Sequence, residues 1–578
     1  MLKTNRGRKY SLFSALLLSI LLLSSCSSTQ HKEQSAFRDL YKSGQYDEAL
    51  SLLKDSEVGK DQDNQLLYYF EKALIHHSKK EYYQSVLTFN KAIKKARQLY
   101  TESISKKILK GLVNDKVDKY YGLPYEVSLA YFYASLGHYL IAQQGFYERY
   151  TPATPDAKPI KRVDLSKGQR RKELLSARAT VVAWDSFLKT LRAQKLGKSV
   201  FKDDLLAKTW GAFIHEAIAT SQDLQTALLL YRKARELVFK NYNSYKAYNT
   251  LSKKFRGDFE RLPSLPKSKV KSDYIARTPH QAQLSDFLDR KIISLTKKFR
   301  PRRVKNLKTQ LGIDPKLIKE VPSYSKNATN ITVVLQNGMV PHKKPKRYDI
   351  GIEGALKATK NRTARRIITQ VGVPLLGAFA ANQLGLIPKR ASYPGAMIGL
   401  YGAQAAVAIA TIGFELPIMR SPYDGRAGVL EITDESGAPV KSLKIPIASP
   451  LGDIAEESVV ENTSALYLRT GLRVAGKHVA AIATAYMTYK SLKKTLPAKW
   501  AAVAGYSLAS RGISETEKAD VRYWSTLPFD VKLRSFHLGP GKYHLKYNFA
   551  GKVIDLGVHH VKNNGIPLLI NRRLANLY

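Results

Sequence analysis

Acidic residues are scarce in this chain: 47 Asp and Glu stand against 94 Lys and Arg, a formal charge of +47 over 578 residues. Cysteine occurs once. That excludes an internal disulfide and any metal site built from several thiolates. The strings that usually mark catalysis are incomplete. His215-Glu216 opens an HExxH-like string, but Ala219 stands where the second histidine belongs. Gly197-Lys198-Ser199 imitates the end of a phosphate loop, but Arg192 occupies the first glycine position. There is no G-x-S-x-G nucleophile turn. His76-His77 and His559-His560 are adjacent pairs, whose side chains diverge on a helix or a strand. Glu456-Glu457 reads as a solvated turn rather than an acid/base pair. From this we expect no enzyme, no cofactor and no metal.

What is present specifies a folded chain. Hydrophobic residues make up 44% and aromatics 10%, too much apolar surface for wholesale disorder. The length calls for more than one core.

Residues 1–25 read as an export signal. Lys3, Arg6, Arg8 and Lys9 precede an apolar run over 12–23, which is too short to span a bilayer. The run ends in Leu23-Ser24-Ser25-Cys26, which resembles the bacterial lipobox, and the lone cysteine falls at its modified position. The resemblance implies acyl chains on Cys26 and removal of 1–25. Several acyl chains anchor a protein durably, since each buried CH₂ contributes about 0.8 kcal/mol. Ser27, rather than Asp, follows the cysteine, which by the same resemblance points to the outer membrane and its periplasmic face. Residues 26–34 are polar and read as a tether. A strongly basic chain there attracts anionic lipids, lipopolysaccharide or peptidoglycan, whereas nucleic acid fits the charge but not the compartment.

Over 35–255 a pattern recurs. Gly44, Tyr46 and Ala49 are echoed by Tyr82 and Ser85, with Tyr46 and Tyr82 36 residues apart. Gly137, Tyr139 and Ala142 form a third copy, and Ala227 to Ala234 a weaker fourth. Small residues let paired helices touch, and large aromatics fill the space to the next pair. The pattern resembles the tetratricopeptide repeat. That implies an all-helical solenoid whose groove takes envelope proteins, interrupted by a Pro-rich loop at 151–159.

Residues 256–325 read as a basic helical linker. Arg290, Lys291, Lys297, Lys298, Arg300, Arg302, Arg303, Lys305 and Lys308 fall without an acidic residue between them. Leu284, Phe287, Leu288, Ile292, Leu295 and Phe299 recur at helical spacing up to Pro301. The basic face is a candidate patch for an anionic surface, or a solvated face whose apolar side packs on the solenoid.

Residues 326–578 read as an α+β domain, so the chain as a whole is expected to be α+β. A strand over 331–337 and further strands over 428–447 and 529–570 are expected. Alternation over 529–533 and 543–547, with Leu538-Gly-Pro-Gly541 between, predicts a half-buried hairpin. A helix is expected over 458–495. Two charge-free stretches within 367–414, rich in Gly and Ala, predict a buried helical hairpin or a bilayer insertion. An oligomer is compatible with that small-residue packing.

The strand at 331, the motif Ala519-Asp520-Val-Arg522-Tyr-Trp524-Ser-Thr-Leu-Pro528 and the following Gly-Pro-Gly turn resemble a family of uncharacterised bacterial lipoproteins with tetratricopeptide-like repeats. The resemblance supports architecture and implies no activity. Within the motif Trp524 is expected to pack under the sheet, and Asp520 with Arg522 to pair. The three are also the candidate ligand site. The functional expectation is a non-catalytic scaffold in an envelope complex, with a regulator of cell-wall synthesis and a membrane-inserting secretion accessory as alternatives.

Overall fold

The computed structural model describes residues 26–106, 119–150, 160–193, 201, 203–240, 242, 245–248, 279–325, 329–350, 412–421, 428–460, 477, 509, 512–513, 518–562 and 565–577. The fold is α+β with an N-terminal helical region. Its principal helices are α1 (Cys26–Lys42), α2 (Tyr46–Asp55), α3 (Gln65–Ser78), α4 (Tyr82–Lys106), α5 (Pro124–Gln144), α6 (Lys167–Ala193), α7 (Leu205–Ile218), α8 (Ser221–Lys240) and α9 (Pro279–Phe299). Each packs on its successor in the chain.

Local chemistry sets the boundaries. Pro124 opens α5, where a missing N–H costs nothing, and Glu126 reaches back to accept the Leu123 N–H at 2.6 Å. Gly145, at φ +80°, closes that helix. Asp204 caps α7 by accepting from Leu206 N at 2.8 Å. Two turns match bond for bond. Gln45 N donates to Leu40 O and Glu81 N to His76 O, both at 2.9 Å. Gly44 and Lys80, again 36 residues apart, both adopt left-handed φ, +80° and +63°.

The strands form two four-stranded sheets. The first orders β12 (Leu568–Leu574), β3 (Ile331–Asn337), β9 (Asp530–Phe536) and β8 (Ile447–Ser449). The second orders β11 (Lys552–Val561), β10 (Gly541–Phe549), β6 (Val429–Thr433) and β7 (Pro439–Lys444). In β3, Ile331, Val333 and Leu335 face the second sheet, whereas Val334 joins the helical core. The first sheet is therefore covered on both faces, and all seven residues of β3 are buried. Two further ribbons are β1 (Phe146–Tyr150) with β2 (Ile160–Asp164), and β4 (Lys344–Ile350) with β5 (Ile412–Ile418).

Several expectations change. The hairpin across 529–547 does not form: β9 and β10 lie in different sheets, and 537–540 cross between them. The observed hairpin joins β10 to β11 through Ala550 and Gly551, both at positive φ. The alternating polar residue Lys532 is buried between the sheets, its Nζ 4.6 Å from the Phe549 ring centroid. The stretch 26–34, read as a tether, forms the first turns of α1. Of the stretch 256–325, residues 279–325 are described, and α9 within it packs on α8. One apolar cluster crosses position 326, running from Phe37 to Leu569, and a second, built from residues between Ile331 and Leu577, lies beyond it. Of the 367–414 stretch, only 412–414 are described, and they belong to β5; 367–411 lie outside the described residues. The helix expected at 458–495 falls largely outside them too, although 451–460 are helical. Among the described residues no helix is long and apolar enough to cross a membrane.

Candidate functional site

The side chains of α1, α3, α4 and α5 converge on a segment of the same chain, 519–527, that is irregular up to Trp524 and turns at Ser525 and Thr526. Its aromatic anchor is Trp524, fully buried and stacked on Phe70 of α3 at 4.6 Å with planes 9° apart. Phe89 of α4 and Tyr133 of α5 close around it at 5.7 and 5.9 Å. Trp524 thus packs among the helices, in the apolar cluster that also takes in Val334, Val531 and Leu533 of the first sheet. Offset stacking of this kind adds about 0.5–1.5 kcal/mol beyond area burial.

Polar groups fix the segment's backbone. Glu71 of α3 accepts Ser525 N at 2.6 Å, Ser525 Oγ at 2.8 Å, and the Thr526 hydroxyl. Glu126 of α5 accepts Trp524 N at 2.8 Å while also holding Tyr120 OH. Arg38 of α1 donates to the Ser525 carbonyl, to Tyr523 OH at 3.0 Å and to Val340 O at 2.9 Å. Lys343 donates to the Arg522 carbonyl at 3.1 Å and Arg573 to the Thr526 carbonyl at 3.0 Å. Burial of backbone polar groups is tolerated only when each is met in this way.

Asp520 and Arg522 do pair, as expected. Nε and Nη2 of Arg522 each donate to a separate Asp520 oxygen at 2.9 Å, and Nη1 donates to Asn64 of the helical layer at 2.9 Å. Burial opposes the charge on Asp520, yet Arg522 and Lys343 outweigh it and hold the carboxyl below its usual range. The opposite holds at the groove carboxylates. Burial pushes Glu71 up to about 7 against the hydrogen bonds from Thr526 and Ser525. Burial likewise raises Glu126.

The C-terminal strand completes the contact. Gln143 of α5 exchanges two hydrogen bonds with the Leu569 backbone, at 2.6 and 3.0 Å. Tyr139 OH donates to Pro567 O at 2.6 Å, and Tyr133 OH to Gln336 at 2.6 Å. His77, buried against Tyr82 and Tyr133, meets Asn571 at 3.1 Å, and burial drives its pKa down to about 3.

The remaining residues singled out from sequence scatter. Cys26 opens α1. Ala49, Ser85, Gly137, Ala142, Ala227 and Ala234 are buried at helix contacts, with Ser85 Oγ bonded to Ala73 O at 2.9 Å. A Cβ on Gly137 would meet Val86 at 2.5 Å, so absent bulk is what that crossing needs. Gly44 is exposed with nothing within 4 Å of an added Cβ, so it serves its left-handed turn and not a helix contact. Tyr46 stands edge-on to Tyr41 at 5.5 Å. His215 pairs with Asp223 at 2.7 Å, and Glu216 accepts from Tyr231, Lys291 and Thr329. That string is a buried network. Gly197 to Ser199 lie outside the described residues. Among the described residues no three His, Cys, Asp or Glu group as metal ligands.

The residues missed from sequence are Arg38, Glu71 and Glu126. A signal existed for the acids. Glu126 is the only Asp, Glu, Lys or Arg from 124 to 144, and Glu71 interrupts the apolar face of Leu67, Phe70 and Leu74. A lone charge on an apolar helix face is either paired or functional. Compared with protein-family models, with curated proteins and with solved structures, the chain matches none.

Proposed function

We propose that this chain is a lipid-anchored scaffold at the outer membrane, facing the periplasm, which binds envelope proteins and performs no chemistry. Its N-terminal helices act as a tetratricopeptide-like solenoid. The equivalent turns at Gly44 and Lys80 and the successive helix packing support that reading. Cys26 after a short apolar run supports the anchor. The observation that carries the proposal is the exposure of large apolar side chains on the outer helix faces, Val182 of α6 and Leu229 of α8; the inner groove holds residues 519–527 of the same chain through side chain-to-backbone hydrogen bonds and one aromatic anchor.

Because the inner groove is so occupied, envelope partners dock on the outer faces of the helices, where Val182 and Leu229 are 58% and 54% exposed. Two measurements test this. Mass spectrometry of the mature N-terminal peptide is expected to find acylated Cys26. A photocrosslinker at Val182 or Leu229 is expected to capture one envelope protein, and one at Ser525 only intramolecular products. An unmodified N-terminus, or partner capture from position 525 alone, overturns the proposal.

A further inference from the structure

The nine basic residues that follow Asp289 fall into two groups. Four are engaged. Arg290 pairs with Asp286 at 3.1 Å and Glu320 at 2.9 Å, and Lys291 with Glu216 at 2.7 Å. Lys297 donates to the Val321 carbonyl, and Lys298 lies over the Tyr324 ring at 4.9 Å. The other five, Arg300, Arg302, Arg303, Lys305 and Lys308, are exposed, and none forms an ion pair or a side-chain hydrogen bond among the described residues.

The local backbone places these five on one ridge. Beyond α9, Pro301–Asn306 form a 3-10 turn that runs into a short helix, Leu307–Leu311. Arg303 N donates to the Arg300 carbonyl at 2.8 Å. Residues three apart in a 3-10 turn lie above one another, separated by about 6 Å along its axis. Val304 and Leu307 therefore share one side, and both pack on the apolar core, Leu307 fully buried. Arg302 and Lys305 align on a second side, which Lys308 continues into the helix. Arg300 and Arg303 align on the third. No Asp or Glu occurs from 290 to 313, and the next acid, Asp314, is a helix cap that accepts Lys316 N at 2.9 Å. The carbonyls that end α9 favour a cation within the last turn, which accounts for Arg300 and not for the four beyond it. On so short a turn five unneutralised cations repel one another, and a bound anionic partner relieves that repulsion.

We propose that this ridge lies on the headgroups of an anionic lipid bilayer. Cations on two diverging sides of a turn cannot all meet one small anion, whereas a plane of many anions meets them together. Each Lys or Arg held beside such a plane adds an attraction that salt screens. Val304 and Leu311, the aliphatic residues nearest the cations, are packed against the core. The ridge therefore rests on the surface by charge alone and inserts no apolar side chain. This contact goes beyond the scaffold reading and does not depend on acylation of Cys26. In a chain anchored there, it adds a second point of attachment at the end of α9.

The test places the full chain on vesicles and carries a photocrosslinker at Thr309, which is exposed beside Lys308. The vesicles are phosphatidylcholine, with or without phosphatidylglycerol. One variant is Arg302→Gln/Arg303→Gln. The other, Lys91→Gln/Lys94→Gln, removes the same charge from exposed positions of α4. Lipid adducts at position 309 are expected to be about tenfold more abundant on the anionic vesicles, to fall about tenfold in the arginine variant, to hold in the lysine variant and to disappear at about 1 M salt. Acyl chains on Cys26 hold the protein to both kinds of vesicle alike, so proximity at 309 is read separately from the anchor. Equal adducts on both vesicles, no lipid adduct at all, persistence at high salt, or equal losses in the two variants overturns the proposal. Absent lipid adducts together with retention on isolated cell-wall sacculi, lost only in the arginine variant, overturns it in favour of an acidic wall polymer. All four substituted side chains are exposed, so the comparison survives without repacking of a core.

Discussion

The Glu71 carboxylate on α3 accepts twice from Ser525, once from its backbone N–H at 2.6 Å and once from its hydroxyl at 2.8 Å. Thr526 supplies a third donor. Replacing Glu71 by Ala leaves three buried donors without an acceptor. We expect a loss of about 3–5 kcal/mol in urea unfolding, and about 1–3 kcal/mol for Glu71→Gln, whose amide mispairs one donor. Equal, negligible costs for both changes would contradict the groove contact.

The same carboxyl sets a pH dependence. Burial raises its folded pKa to about 7, against 4.5 as its ordinary value. The folded state then binds the extra proton between these two values, so its contribution to stability falls as pH rises from about 4.5 to about 7 and is flat above. Glu71→Gln lacks this titration. The stability gap between the native chain and Glu71→Gln is therefore expected to narrow from pH 5 to pH 8, measured by chemical unfolding at each pH. Buried His77, lowered to about 3, acts in the other direction: its contribution is lost as pH falls from about 6.5 toward 3.

Trp524 combines a large buried ring with a buried Nε1 that has no hydrogen-bond partner among the described residues. Trp524→Ala empties the space against Phe70 and is expected to cost about 3–5 kcal/mol. Trp524→Phe keeps the stack and removes the unused donor, so its cost is expected to stay below about 1.5 kcal/mol. Thermal unfolding of the two variants side by side checks the ordering.

Gly44 and Lys80 occupy equivalent left-handed positions, one with the residue type that fits and one without. Gly44→Ala is expected to cost about 1 kcal/mol, and Lys80→Gly to stabilise by up to about 1 kcal/mol. Neither Cα faces a packing constraint, since Gly44 has open space and Lys80 is exposed. Opposite shifts in unfolding midpoint would establish the turns as equivalent.

Gly137 makes the contrasting case. An added methyl meets the β-branched Val86 at 2.5 Å across α4 and α5. Gly137→Ala is expected to destabilise by about 1–3 kcal/mol despite the gain in helix propensity. A joint change of Gly137→Ala with Val86→Ala is expected to recover part of that loss, read in the same unfolding assay.

Local elements were legible because their signals are local. The apolar stripe Leu284, Phe287, Leu288, Ile292 and Leu295 predicts α9 up to Phe299, and the alternating run at 543–547 predicts the centre of β10. The Asp520–Arg522 pair is two residues apart and needs no distant partner. The hairpin error has the same root. Period-two alternation says that a strand has an inner face, but not which strand lies beside it or whether its other face is also covered. Lys532 reads as solvent-facing and is buried because a second sheet closes over it.

By itself, then, the sequence determined the apolar stripe of α9, the alternation of β10, the 36-residue spacing of Tyr46 and Tyr82, and the excess of positive charge, each written within a few residues or in the composition. Only the tertiary structure decided that α3 and α5 hold residues 519–527 of their own chain, and that Gln143 meets the backbone of Leu569. Those contacts join positions hundreds of residues apart. Their strength comes from low-dielectric burial, and burial is a property of the assembled layers rather than of any stretch of chain.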